Sequence, residues 1–166
     1  NIFLCSNFAP SFSFLVLKLY GQRHVLADLS VIGNHFRAIN RSIRLIEVVD
    51  TSLFDLYREG LFEILFHGNN FHNITTQSAN PLRLTHHQNS AATLWTIDTA
   101  QRLPFQAQYL DADTLIAKSP ILTPSGARRH ALPYIELQYG SDKDQAAIVW
   151  PEAVKGKLGL QLRCDR

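Results

Sequence analysis

Hydrophobic and polar positions alternate over the first stretch of the chain. Residues 12–19 form an apolar run, and after Gly21-Gln22 the residues Val25, Ala27, Leu29 and Val31 share one face while Asp28 and Ser30 take the other. A period of two is the mark of a half-buried strand, and the two runs together predict a hairpin. Beyond Asn34 the period changes. Phe36, Ile39, Ile43, Ile46, Val49 and Leu53 recur at steps of three or four, as on one stripe of a helix. With Asn34 as a cap and Gly60 as a stop, the pattern predicts one helix near residues 35–58, made of a segment over 35–48 and a short one over 52–58. The spacing also extends back to Val25 and Leu29, so a longer helix from about residue 24 competes with the hairpin. The density of Ile and Val in this stretch argues for strand instead.

After Gly60 the signals are those of strands. Candidates lie at 61–67, 82–85, 92–97, 105–110, 115–117, 134–139, 146–150 and 158–163. Gly68-Asn69-Asn70, Asp111-Ala112-Asp113, the loop 120–126, Gly140-Ser141-Asp142 and Pro151 separate them as turns. The fold class expected is mainly β: an antiparallel β-sandwich or strongly curved sheet carrying the helix near 35–58, with α+β as the variant. No internal repeat stands out. At 166 residues the chain is expected to form a single domain, 1–166.

Composition narrows the function classes. The chain is 46% hydrophobic and 18% charged, too apolar for disorder, and its net charge of +2 gives no electrostatic reason to expect nucleic acid. Residues 12–19 are too few to span a bilayer and include Lys18, so no membrane insertion is expected within this stretch. The chain opens on Asn1 and holds no Met, which predicts a fragment or a processed product whose signal, if it has one, lay upstream. Cys5 and Cys164 sit near opposite ends, and their pairing in a disulfide would close almost the whole chain into one loop. Unpaired thiols are the alternative.

Chemistry-bearing motifs are sparse. His67, His72, His86 and His87 gather in a polar stretch, yet their spacing fits no known metal motif, so neither a metal nor a cofactor is expected. Glu59 with Glu63 and Asp111 with Asp113 are the carboxylate pairs available for acid/base work; the second reads better as a turn. Arg128-Arg129-His130 and the series Arg37, Arg41, Arg44 read as solvated faces. Recognition of a carbohydrate or a protein receptor fits best. Sugar sites stack an aromatic ring on an apolar sugar face and bind hydroxyls with amides and imidazoles. The binding residues expected are Asn69, Asn70, Asn73, His86, His87, Trp95 and Tyr109, with Gln77 and Gln88 in support.

The expectation is therefore a secreted, periplasmic or virion-surface recognition module, non-enzymatic and homo-oligomeric. The alternatives are a structural subunit without a ligand pocket, and a small hydrolase or metal-dependent enzyme built on His67, His72, His86 and His87.

Overall fold

The computed structural model describes residues 1–22, 24–56, 60–107, 111–141 and 143–165. The fold is mainly β, and chain contacts divide it into two compact units: 1–81 with 101–107 and 164–166, and 82–100 with 108–163. Among the described residues no helix is long and apolar enough to cross a membrane.

The first unit is a coil of parallel strands. Its first turn carries β1 (Ile2–Cys5), β2 (Leu15–Lys18), β3 (Leu26–Ala27) and β4 (Ser30–Ile32). The second carries β5 (His35–Ala38), β6 (Glu47–Asp50), β7 (Leu61–Phe62) and β8 (Leu65–His67), and a third begins with β9 (Asn70–His72). Each strand pairs in parallel with its counterpart one turn on: β1 with β5 and β5 with β9, β2 with β6, β3 with β7, β4 with β8. The coil stops where Asn80 pairs antiparallel with Phe66.

Sequence explains this arrangement through columns of like residues. Asn1, Asn34 and Asn69 stand one above another at steps of 33 and 35 residues, joined by side-chain amides: Asn1 Nδ2 donates to Asn34 Oδ1 at 3.2 Å, and Asn34 Nδ2 to Asn69 Oδ1 at 3.3 Å. Two residues on, Phe3, Phe36 and Phe71 stack with ring centroids 5.0 and 6.1 Å apart and planes within 9° and 16°. The corners repeat as well. Gly33 and Gly68 both take φ of 65°, where a side chain would be strained, and Asn7, Asn40 and Asn73 occupy the left-handed region at another corner. The chain thus holds an internal repeat, in which each turn buries its apolar face only by stacking on the next.

That repeat overturns the helix near 35–58. Residues 35–38 alternate exposed and buried as a strand does, with Phe36 and Ala38 inward, and residues 47–50 form a second strand. The stripe of threes and fours arises because a coil with corners sends apolar side chains inward at irregular steps. Leu53, its last member, is exposed, while residues 57–59, with Glu59, lie outside the described residues. The expected hairpin of 12–32 fails for the same reason: β2, β3 and β4 pair with the following turn and not with each other. The longer helix from residue 24 is excluded by β3 and β4.

The second unit is an antiparallel sheet, as expected for this part of the chain. It contains β10 (Leu82–Asp98), β11 (Asp111–Ala117), β12 (Tyr134–Tyr139) and β13 (Gln145–Arg163). The long β13 pairs with β10 on one side and, on the other, with β12 near its start and β11 near its end. Pro151 does not break β13. It falls where the register with β10 shifts between Ala92 and Leu94, so no regular ladder bond is lost. Asp111-Ala112-Asp113 opens β11 with a bulge in place of the expected turn, and the expected strand at 105 is a 3-10 turn, Pro104–Gln106. The inner face buries Trp95, Ile97, Ile148, Trp150, Val154, Leu158, Leu160 and Leu162.

Candidate functional site

In the first unit the turn between β8 and β9 lines a cavity of about 190 Å³. Gly68, with its left-handed φ, and Asn69 shape one side, while Gln77, Ser78 and Ala79 supply another. Arg102 joins them because the backbone returns here: Ala79 N–H donates to Arg102 O at 2.9 Å. Phe66 and Phe71 give apolar walls. Phe71 is the last ring of the column that begins at Phe3, and no further ring stacks on it among the described residues. Gln77 and His67 are exposed, and Arg102 is half-buried with no carboxylate partner among the described residues.

Behind this cavity lies a buried carboxyl. Glu47, the first residue of β6, is 1% exposed, and Ser78 Oγ donates to its Oε1. Its other oxygen, Oε2, has no hydrogen-bond partner among the described residues. Burial pushes its pKa from the usual 4.5 to about 7, while the Ser78 hydroxyl and the Phe105 and Glu47 backbone amides pull the other way. Desolvation wins, because three neutral donors do not replace the hydration of a carboxylate.

The residues expected to bind divide between the two units. Asn69 does line the cavity, but its amide is committed to the coil: Oδ1 accepts from the Asn34 backbone at 2.9 Å and Nδ2 donates to Val31 O at 2.7 Å. Asn73 likewise donates to Ala38 O at 2.9 Å, and Asn70 is an exposed residue of β9 outside the cavity lining. Trp95 is not a stacking platform. It is fully buried against Trp150, with centroids 5.3 Å apart, and its Nε1 donates to Ala92 O and Val154 O. His86 sits beside Trp95 and bonds Gln88, while His87 points to the other face of β10. Tyr109 lies outside the described residues.

The histidines do not assemble. His67 and His72 belong to the coil and His86 and His87 to the sheet, and no group of three His, Cys, Asp or Glu side chains is placed to hold a metal among the described residues. The disulfide is absent too: Cys5 and Cys164 are not bonded to each other. Cys5 lies on β1, and Cys164 is buried where its backbone N–H donates to Asn80 Oδ1, across from β8, so different walls of the coil hold them apart.

Sequence reasoning named Gln77 in support but missed Arg102, which carries no local signal and reaches the cavity only through the backbone bond to Ala79. The signal for the coil was legible: Gly-Asn followed two residues later by Phe, at 33–36 and again at 68–71. Compared with known protein families, curated proteins and solved structures, the chain matches none, and its own side chains carry the functional argument.

Proposed function

We propose that the chain is a recognition module that binds a carbohydrate, seating one sugar ring in the cavity beside β8 and β9. One observation carries the reading: the last ring of the Phe3, Phe36, Phe71 column lines a cavity where the His67, Gln77 and Arg102 side chains have no polar partner among the described residues. An aromatic edge or face accepts the apolar side of a pyranose, Gln77 and His67 bind hydroxyls, and Arg102 favours a sugar bearing a carboxylate. The volume of about 190 Å³ is below the roughly 300–1,000 Å³ of sites for larger ligands, which suits a single residue or chain end. Binding without turnover is the fitting reading, since Glu47 is buried and does not line the cavity. Such a module belongs where glycans are displayed: outside the cell, in a periplasm or on a virion surface.

The test is a glycan array probed with the purified chain, followed by titration of the hits. Arg102→Gln and Gln77→Ala are expected to weaken binding at least tenfold, with His87→Ala unchanged. A flat array from folded protein, or hits that ignore both cavity substitutions, refutes the proposal.

Assembly with further copies is a second reading, favoured by the first turn of the coil. Among the described residues no strand pairs with the outer edges of β1 and β2, and Ile2, Leu4 and Val16 are 72%, 59% and 61% exposed. Light scattering on the same sample decides it: a single monomeric mass excludes homo-oligomerisation.

A further inference from the structure

The outer face of the antiparallel sheet carries a trough of about 360 Å³ that is separate from the cavity in the coil and independent of the sugar reading. Its position follows from register. Arg83 pairs with Gln161 and Thr85 with Gly159 across β10 and β13, while Thr114 pairs with Gln161 and Ile116 with Gly159 across β11 and β13. These residues share one face because side chains alternate along each strand.

Gly159 is the element that builds the trough. A Cβ at this position would lie 2.5 Å from Lys118 Cε, so the lysine stem crosses β13 only because residue 159 has no side chain. The ammonium then reaches Thr85 Oγ1 at 3.1 Å. Two residues away on β10, Arg83 Nε donates to Gln161 Oε1 at 3.1 Å, and among the described residues neither of its terminal NH₂ groups has a partner. Gln161 is held in turn by Asp113 Oδ2 at 3.0 Å. Neither Arg83 nor Lys118 pairs with a carboxylate among the described residues.

Same-face residues on one strand stand roughly 7 Å apart. Lys118, held at Thr85, and Arg83, two positions away on the same face of β10, line the same trough, and each keeps N–H groups that can donate charge-assisted hydrogen bonds of about 2.8 Å to an oxyanion. We propose that this trough binds a sulfate or phosphate group of a ligand between Lys118 Nζ and the Arg83 guanidinium. The Thr85 and Thr114 hydroxyls supply further donors, and exposed Ile116 offers an apolar wall to whatever carries the group.

The test is an amide-resolved NMR titration of the whole chain with sodium sulfate and sodium phosphate, against sodium chloride at equal ionic strength. Saturable shifts at the Thr85, Thr114 and Gly159 amides are expected with both oxyanions and not with chloride. Lys118→Gln and Arg83→Gln should each weaken binding about tenfold, the worth of one charge-assisted hydrogen bond. Gly159→Ala, which displaces the lysine stem without touching a charge, should weaken it comparably. If Gly159→Ala fails to fold, the two charge variants decide the matter alone. A sulfated disaccharide that binds at least tenfold tighter than sulfate identifies a glycan as the carrier; the same gain for a sugar phosphate identifies a phosphate ester. Absence of saturable shifts in the wild type, or unchanged affinity in Lys118→Gln, overturns the proposal.

Discussion

Replacing Glu47 with Gln should change how the stability of the protein depends on pH. The carboxyl is buried, one of its oxygens is unpartnered, and its pKa is raised from 4.5 to about 7. Below about pH 4.5 it is neutral in folded and unfolded chains alike. Between there and pH 7 the unfolded chain releases this proton while the folded chain keeps it, so stability falls as pH rises, by about 1.4 kcal/mol per unit. Above pH 7 both states are ionised and the penalty is complete, roughly 3 kcal/mol. Gln removes the titration but places an amide N–H₂ where Oε2 has no partner, which costs about 1–3 kcal/mol at every pH. The decisive quantity is therefore the slope. Urea unfolding from pH 5 to pH 8.5 should show wild-type stability declining by roughly 2.5 kcal/mol more than that of Glu47→Gln. Equal slopes in the two proteins would refute the argument, because the carboxyl would then be solvated or compensated in the folded state.

Other substitutions probe the coil and the sheet. Asn34→Ala cuts the amide column on both sides and should destabilise by about 1–3 kcal/mol in chemical denaturation. Phe36→Ala opens a void between Phe3 and Phe71 and should lose about 3–5 kcal/mol by the same assay. A Cβ on Gly33 meets nothing within 4 Å, yet Gly33→Ala should still destabilise by about 1–2 kcal/mol because φ is 65°. Trp95→Ala should lose about 3–5 kcal/mol, as expected for a core residue, and should leave sugar affinity of the folded fraction unchanged. In native protein a thiol reagent should label half-buried Cys5 and spare Cys164 until the chain unfolds; non-reducing mass analysis that finds a disulfide would contradict the structure.

The strand content was readable where a strand stands alone as a period of two, as in residues 134–139, which form β12 as expected. It was misread where the repeat unit is longer than the window of a periodicity argument. Phe36, Ile43 and Ile46 all point inward, as the helical stripe required, but they do so from strands and corners of a coil. The strand pairing of the first unit depends on residues 32 to 35 positions apart, and no local pattern encodes it. The site was legible in part. The polar stretch around Asn69 and Gln77 does line a cavity, but the side chains most suggestive of binding, Asn69, Asn73 and Trp95, donate to backbone carbonyls, and Asn69 also accepts from Asn34. An isolated sequence shows that an amide is present and not whether it is already spent.

The stacking of turns in the first unit makes its cooperativity one-dimensional. Each turn is held by its nearest neighbours: in the second, β5 is paired on both sides, by β1 and β9, whereas β1 is paired only with β5 among the described residues. Amide exchange should therefore be graded along the stack. Leu4, whose N–H faces the outer edge of β1, should exchange fast, while Arg37, whose N–H faces β1 across the first interface, should be protected until that interface opens.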